Sequence, residues 1–225
     1  MPDASFDGRR VVVFGAGGAL GGGLIAAFTE AKATVVGADL AVPAPGRRVA
    51  GAGYHAVDVT DDRALAAFFD SQPPPWAVVN TVGGFAPHVP LPRLDAGVLA
   101  SQLTLNLVSA ALVTKHALRL MIPAGRGRIV HTASRSALAT RGSGFAYSVS
   151  KLGVIHLVSM AADEVRGTGI TVNCVVPTII DTPANRAAMP NADHASWPKI
   201  PDVARAYLFL ADPASHLVSG AAVPV

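Results

Sequence analysis

Short apolar runs rich in β-branched residues alternate along the chain with longer segments whose apolar residues recur every three or four positions. This alternation predicts βαβ units and a parallel sheet. Because crossovers between parallel strands are right-handed, we expect a doubly wound α/β sheet of about seven strands with helices on both faces, a three-layer α/β/α domain. The predicted strands are 10–14, 34–38, 54–57, 77–80, 128–132, 171–176 and 221–225, and the predicted helices are 19–30, 61–69, 97–121, 145–166 and 202–210.

Two segments do not follow this alternation of strand and helix patterns. Residues 41–53 are rich in Pro, Gly and Ala, which predicts a surface loop after the second strand. Residues 177–201 contain five prolines and little periodicity, which indicates a lid at about 178–200. Long loops at the carboxyl ends of parallel strands are where such sheets bind ligands. No internal repeat or long linker divides the chain, so we interpret residues 1–225 as a single domain.

Composition and charge exclude several classes of function. The net charge of +3 comes from scattered basic residues, of which only Arg9-Arg10 and Arg47-Arg48 are adjacent, too few for a nucleic-acid-binding face. The uncharged stretch 96–114 carries polar residues all round a helix, so we expect a helix buried in protein rather than a membrane span. No two histidines have metal-ligand spacing, so no metal site is predicted. The lone Cys174 excludes an intrachain disulfide and, with no signal-peptide core before the first strand, predicts a cytoplasmic protein.

The first strand runs into a turn with six glycines between Gly15 and Gly23. A glycine-rich turn before a helix presents backbone N–H groups and the positive helix end to a pyrophosphate. The strict Gly-x-Gly-x-x-Gly spacing fails at Leu20, and a nucleoside-triphosphate loop fails because no Lys follows. The spacing Gly-x-x-x-Gly-x-Gly fits Gly15 and Gly21 with Ala19 between them. The alternative is that the glycines only allow tight packing of helix on strand. The residues predicted to hold the cofactor here are Gly15, Gly17, Gly18, Ala19, Leu20 and Gly21.

Acidic residues follow the next two strands. Asp39 ends the second strand about 20 residues after the glycines, where a carboxylate can bond the adenosine ribose hydroxyls and repel a 2′-phosphate. Its neighbour Leu40 is no cation, although Arg47 and Arg48 could fold back. NAD(H) is therefore preferred, and NADP(H) stays open. Asp58 has two interpretations, a contact to the adenine amino group or the N-cap of the helix starting near residue 61.

The candidate chemistry lies between His131 and Lys151. Tyr147 and Lys151 are four residues apart and share one face of a helix. A nearby ammonium stabilises a phenolate and lowers the pKa of the tyrosine, which makes Tyr147 a usable proton donor and acceptor. Ser134 ends a strand, where its hydroxyl can bond a substrate oxygen. The alternative interpretation places Tyr147 in the core and Lys151 in solvent.

Taken together, these pieces resemble the short-chain dehydrogenase/reductase superfamily, single-domain branch, over nearly the whole chain. The resemblance implies a Rossmann-type fold, and Ser134 and Tyr147 stand at the family's usual interval. The departures at Phe14, Ala19 and Thr178 remove no catalytic group. The matching segments are "FGAGGALG", "DVTD", "VVNTVGG", "LTLNLVSA", "GRIVHTAS", "YSVSK", "ITVNCVVPTIIDTP" and "DVARAYLFLADPASHLVSGAAVPV".

The resemblance implies hydride transfer between a nicotinamide and a small-molecule carbonyl or alcohol. Tyr147 would be the acid/base, Lys151 would hold the nicotinamide ribose and tune Tyr147, and Ser134 would orient the substrate. Asn106 would anchor a water in the proton relay by kinking its helix. The further cofactor contacts that the resemblance implies are Asp39, Asp58, Val59, Asn80, Val82, Gly83, Pro177, Thr178, Ile180 and Thr182.

The lid segment and "TVGGF" look like dihydropteridine reductases, a subgroup that prefers NADH. That subgroup generally lacks the catalytic serine, whereas Ser134 is present, so a pterin reductase stays an alternative. A second alternative is a regulator that binds the dinucleotide without catalysis. The candidate substrate contacts are Gly84, Phe85, Asn185, Met189 and Trp197, although Met189 and Trp197 could instead anchor the lid to the core.

Assembly is also implied by the family. The predicted helices 97–121 and 145–166 are long and apolar beyond one face. In the family such helices pair subunits, so we expect a homodimer or homotetramer. The alternative is that both helices serve only the core of one subunit.

Overall fold

The seven strands form one fully parallel sheet in the order β3-β2-β1-β4-β5-β6-β7. The computed structural model describes residues 6–139 and 144–225. The predicted α/β fold is confirmed, and each predicted strand lies within two residues of its observed bounds. The strands are β1 Arg10–Phe14, β2 Thr34–Asp39, β3 Gly53–Ala56, β4 Ala77–Asn80, β5 Gly127–Thr132, β6 Ile170–Val176 and β7 Ala222–Pro224.

Helices cover both faces of the sheet. One core cluster packs α2, α4 and α5 against the strands, and the other packs α1 and α7 against the opposite face. Strands buried on both faces read as unbroken apolar runs, as in β6, where all seven residues are buried. The helices are α1 Ala19–Glu30, α2 Asp62–Asp70, α3 Ala96–Gln102, α4 Ser109–Ala124, α5 Phe145–Glu164, α6 Pro183–Ala188 and α7 Ile200–Ala211.

The predicted helix 97–121 is longer and interrupted. It runs from Ala96 to Ala124, with a π-helical segment at Leu103–Val108 between α3 and α4. Such a segment inserts an extra residue into the helical turn and re-aims the side chains beside it. Ala96–Ala124 and Phe145–Glu164 are long and apolar enough to cross a membrane by length and composition alone. α4 and α5 pack on the parallel sheet. In the stretch 96–114 most of α3 is exposed, so the predicted burial holds within one subunit only for the later part of the stretch.

The two predicted loops border the carboxyl edge of the sheet. The crossover from β2 to β3 contains only a 3₁₀ turn, Pro45–Arg47, because two prolines and Gly46 in "PAPG" oppose a longer helix. The lid after β6 consists of α6 and a second 3₁₀ turn, His194–Ser196. A parallel bridge between Asp181 and Lys199 joins the two ends of the lid.

Candidate functional site

A cavity of about 480 Å³ opens at the carboxyl edge of the sheet, where the strand order reverses between β1 and β4. This switch point is where doubly wound sheets bind nucleotides. A second cavity of about 500 Å³ lies at the opposite edge, beside Trp76 and away from the glycine loop. We therefore take the first as the cofactor cleft. Its lining is Gly15, Gly18, Ala19, Leu20, Gly21, Asp39, Leu40, Val57, Asp58, Val59, Thr60, Thr81, Val82, Gly83, Leu105, Thr182 and Ala184.

Two glycines of the loop are required by packing. Gly15 has φ +86°, and a Cβ there would lie 2.3 Å from the Thr81 hydroxyl oxygen. A Cβ on Gly21 would lie 2.0 Å from the Gly15 carbonyl oxygen. At Ala19 a methyl is tolerated, because this residue is exposed at the start of α1. The tight-packing interpretation therefore holds for Gly15 and Gly21. The close packing at these two glycines also brings the N-terminus of α1 to the cleft, and the first turn of α1 has no side-chain cap.

At the far end of the cleft, Asp39 is tied to the glycine loop. One carboxylate oxygen accepts from the Gly17 N–H at 2.7 Å, and the other accepts from the Leu40 N–H at 2.7 Å. The Arg47 guanidinium donates to the Gly17 carbonyl oxygen at 2.5 Å. Sequence reasoning left open which arginine folds back. Arg48 turns away to the Pro43 carbonyl oxygen.

Asp58 does not cap a helix, so that interpretation was wrong. Its carboxylate accepts from the Thr60 N–H and hydroxyl, at 2.8 and 2.7 Å, which lowers its pKa. The cap of α2 is Asp61, which accepts from the N–H groups of Arg63 and Ala64. The short turn between the two acids puts the cap three residues later. Asp58 is thereby left exposed on the cleft wall.

The catalytic candidates meet at the other end of the cleft. Ser134 begins a 3₁₀ turn after β5, and its hydroxyl bonds the Tyr147 hydroxyl and lies 2.9 Å from that of Ser136. Lys151 is only 4 % exposed and donates from Nζ to the Thr132 carbonyl oxygen at 2.8 Å. This excludes the interpretation in which Lys151 is solvated. The helical spacing and the strand end bring together the three residues that the sequence singled out.

Their protonation differs from the sequence-based expectation. Burial raises the pKa of Tyr147, and the Ser134 hydrogen bond opposes that rise. The Lys151 Nζ is directed to a carbonyl oxygen of β5 and is not among the causes of this shift, so the lowering of the Tyr147 pKa by Lys151 stays a prediction. Burial also lowers the pKa of Lys151 to about 8. The neighbouring His131 is fully buried, and burial followed by the Lys151 charge lowers its pKa to about 3.

Asn106 lies at the centre of the π-helical segment and is 1 % exposed. Its amide nitrogen lies 3.0 to 3.2 Å from three acceptors for its two N–H groups, Gly84 O, Gln102 Oε1 and Ser150 Oγ, and its oxygen accepts from the Gly84 N–H at 3.0 Å. The predicted distortion of the helix at Asn106 is confirmed. A Cβ on Gly83 would lie 2.6 Å from Asn106 Oδ1 and 2.8 Å from Lys151 Nζ. Gly83, which lines the cleft, therefore lies directly against both groups, and a side chain there would clash with them.

The remaining predicted cofactor contacts divide into two groups. Val59, Val82 and Thr182 line the cleft. Others support it from behind: Asn80 Oδ1 accepts from the Val82 N–H, Pro177 O accepts from Arg135, the Thr178 N–H donates to Val225 O, and Ile180 packs on the core.

The residues predicted to contact the substrate lie in different surroundings. Phe85 is 68 % exposed, and its ring lies edge-on to that of Tyr147 with centroids 5.3 Å apart. Trp197 is buried against His194, which supports its role as an anchor of the lid. Asn185 donates to the Ile180 carbonyl oxygen, and the Met189 carbonyl oxygen bonds His194. The structure therefore brings Phe85 to the reacting groups and uses the lid candidates to hold the lid together.

Sequence reasoning missed several residues of the site. Thr81 donates its hydroxyl hydrogen to the Phe14 carbonyl oxygen at 2.8 Å and supports the glycine loop. Thr132 supplies the carbonyl oxygen for Lys151, and Ser150 supplies a hydroxyl for Asn106. Leu105 and Ala184 complete the wall of the cleft. Thr81 follows the last residue of β4 and Thr132 is the last residue of β5, and that position at the carboxyl edge of the sheet was the available signal.

Comparisons with known proteins agree with this geometry. A family model described as enoyl-(acyl carrier protein) reductase matches residues 15–225. Cis-4-hydroxycyclohexanecarboxylate dehydrogenase of Sinomonas cyclohexanicum is 33% identical, over 98% of this chain and 96% of its own. Galactitol 2-dehydrogenase of Rhizobium johnstonii is 33% identical, over 97% and 94%. The solved structure of a short-chain type dehydrogenase/reductase from Mycobacterium ulcerans has a TM-score of 0.89 at 27% identity, covering 98% of this chain and 89% of its own.

Proposed function

The chain belongs to the short-chain dehydrogenase/reductase superfamily, and from that premise we propose that it is an NAD(H)-dependent enzyme with Tyr147 as acid/base. It interconverts a secondary alcohol and the corresponding carbonyl compound. The observation that carries the proposal is the hydrogen-bonded pair Ser134–Tyr147 beside the buried Lys151, next to a cleft lined by the glycine loop.

Each residue of the pair has a separate task. A bound nicotinamide supplies or accepts the hydride. The Tyr147 hydroxyl gives its proton to the carbonyl oxygen during reduction and takes the alcohol proton during oxidation. The Ser134 hydroxyl bonds the same oxygen and stabilises the charge that develops there. Lys151 holds a positive charge next to the site, and Asn106 fixes the backbone of Gly84 beside it.

The residues of the cleft fit a nicotinamide dinucleotide. The N-terminus of α1 has no side-chain cap and faces the cleft, so its free N–H groups can bind the pyrophosphate. Asp39 lines the cleft at the end of β2, where a carboxylate can bond the hydroxyls of the adenosine ribose. The Asp39 carboxylate supports a preference for NAD(H) over NADP(H).

A panel of alcohols and ketones tests the proposal. It includes a cyclic hydroxy acid and a sugar alcohol, the substrates named for the two relatives, and each is assayed with NAD(H) and NADP(H) by nicotinamide absorbance at 340 nm. We expect turnover with at least one member and a higher kcat/KM with NAD(H). Binding of NADH without turnover of any member supports the regulator instead. Turnover of a quinonoid dihydropterin alone supports the pterin reductase.

We also propose a homodimer or homotetramer in the cytoplasm. Apolar side chains on the outer faces of α4 and α5 support this assembly: Ile122 is 49 % exposed and Met160 61 %. Exposed apolar surface on adjacent long helices is typical of subunit interfaces. Sedimentation equilibrium at micromolar concentration should give two or four times the chain mass of 22.9 kDa, and a monomer contradicts the assembly.

A further inference from the structure

The second cavity, of about 500 Å³, carries an excess of positive charge, and we call it the Trp76 cavity. Three arginines line it, Arg9, Arg10 and Arg126, whereas Asp7 is the one acid among its described lining residues. Arg10 begins β1 and Trp76 precedes β4, so the cavity lies at the amino edge of the sheet, opposite the cofactor cleft. Three positive charges and one negative charge leave the described lining with a net charge of +2.

Two of these arginines are not neutralised by an acid. Within residues 6–139 and 144–225, neither Arg10 nor Arg126 forms an ion pair. Arg10 donates to the neutral side-chain oxygen of Gln72 at 3.1 Å, which uses one of its five N–H donors. Arg126 is exposed in the turn before β5. Both guanidinium groups therefore keep N–H donors in the planar fork that matches the oxygens of a phosphate.

A buried arginine adds positive charge behind the wall of the cavity. The guanidinium carbons of Arg9 and Arg128 lie 5.0 and 4.8 Å from the centroid of the Trp76 ring. Arg128 is only 3 % exposed and donates to four backbone carbonyl oxygens. Burial lowers the pKa of Arg128, the Asp212 carboxylate opposes that shift, and the charge of Arg9 adds to it. An anion in the cavity would offset the repulsion between these two cations.

The size and walls of the cavity indicate what kind of anion fits. A volume of about 500 Å³ is in the range of small-molecule sites, which leaves room for more than an inorganic ion. Pro73, Pro74 and Trp76 supply apolar wall beside the arginines. A phosphomonoester carries about two negative charges at pH 7, which match the net charge of the lining.

From this charge and shape we infer that the Trp76 cavity is a binding site for a small organic phosphomonoester. The arginines of the lining hold its phosphate, and its apolar body lies against Pro73 and Pro74. The inference goes beyond the proposed function and does not depend on it, because the site lies at the other edge of the sheet from the cofactor cleft.

Isothermal titration calorimetry with phenyl phosphate tests the site, with saturating NADH present to keep this probe out of the cofactor cleft. Phenyl sulfate has a similar shape with one negative charge, inorganic phosphate lacks the apolar body, and succinate is a dianion without phosphate. We expect phenyl phosphate to bind the wild type most tightly of the four. Arg10→Gln and Arg126→Gln should each weaken it about tenfold or more. The matched control Arg205→Gln, which removes the same charge from the exposed side of α7, should leave binding unchanged.

Several outcomes would overturn the inference. They are no binding of phenyl phosphate to the wild type, equal losses in Arg126→Gln and Arg205→Gln, and equal or tighter binding of phenyl sulfate or succinate. Circular dichroism shows whether each variant is folded, and Arg126→Gln, at an exposed turn, decides the matter if Arg10→Gln does not fold. Failure of the wild type to bind NADH would count against the proposed function and leave the Trp76 cavity to be judged by its own variants.

Discussion

The two ends of the cofactor cleft are built from different kinds of structure. At the catalytic end, Lys151 and Asn106 are almost fully buried and held by hydrogen bonds to β5 and to the loop after β4. At the adenosine end, Asp58 and Arg47 are exposed on loops, and Asp39 is half-buried. Charges in low-dielectric surroundings interact strongly, whereas charges facing water are screened. Under the proposed function, the reacting groups lie in the buried core of the fold and the residues that select the cofactor lie at its surface.

The substitution Tyr147→Phe should distinguish the two ends of the cleft most clearly. Removing the hydroxyl deletes the proposed acid/base and leaves the adenosine end untouched, so kcat should fall roughly 10²- to 10⁴-fold while the NADH dissociation constant stays the same. Steady-state kinetics and fluorescence titration check the two quantities. The matched control is Tyr54→Phe, which removes a hydroxyl that accepts from the Val49 N–H next to β3. Unchanged turnover in Tyr147→Phe would contradict the mechanism.

Burial at the catalytic end also predicts a pH dependence of stability. Lys151 has a pKa of about 8 when folded and an ordinary value of 10.5 when unfolded. Between these values the unfolded chain binds more protons, so the destabilisation caused by the buried charge is complete below pH 8 and disappears as pH rises to 10.5. Between pH 7 and pH 10.5, the free energy of unfolding of the wild type should therefore rise by roughly 2 to 3 kcal/mol more than that of Lys151→Met.

Urea unfolding of both proteins at pH 7, 9 and 10.5 measures that difference. The comparison with Lys151→Met removes the contributions of every other titrating group. A difference that is flat over this range means that Lys151 is solvated, and it would remove the contrast between the two ends.

In the glycine loop, between the two ends of the cleft, the change in stability caused by one added methyl should depend on which glycine carries it. Gly21→Ala places a Cβ against the backbone of Gly15 and should cost about 1 to 3 kcal/mol of stability. Gly22→Ala is the matched control, since its Cβ would have no neighbour nearer than 3.9 Å and helix propensity favours Ala by up to about 1 kcal/mol. Thermal unfolding distinguishes them. Equal midpoints would show that α1 does not pack on Gly15 as described.

The smallest effects are expected at the adenosine end. Asp58→Ala should raise the NADH dissociation constant by roughly two- to tenfold, with a stability change within about 0.5 kcal/mol, because the side chain is exposed. Asp61→Ala removes the cap of α2 and should lower stability by about 1 kcal/mol without affecting binding. Fluorescence titration and urea unfolding of both variants test this division of roles. A loss of stability in Asp58→Ala and a loss of NADH binding in Asp61→Ala would mean that Asp58, not Asp61, caps α2.

Sequence patterns predicted the features that depend on near neighbours. Strand positions followed from apolar runs, the spacing of Tyr147 and Lys151 followed from the helical turn, and the glycine loop followed from its place after β1. The patterns could not predict which acid caps α2, since Asp58 and Asp61 are both suitable residue types. Periodicity alone predicted one unbroken helix, and the distortion at Asn106 was expected only from the family resemblance, because it accompanies the bonds of Asn106 to Gly84 and Ser150, far away along the chain.

Periodicity and short spacings in the sequence were thus sufficient to predict the parallel α/β fold and the family, and to propose the reacting groups. The direction in which the pKa values of those groups shift, and which of Arg47 and Arg48 contacts the glycine loop, depend on how the chain packs. Burial raises the pKa of Tyr147 and lowers that of Lys151, and burial is a property of the packed helices and strands. The bond from Arg47 to Gly17 likewise exists only once the crossover folds back on the first strand.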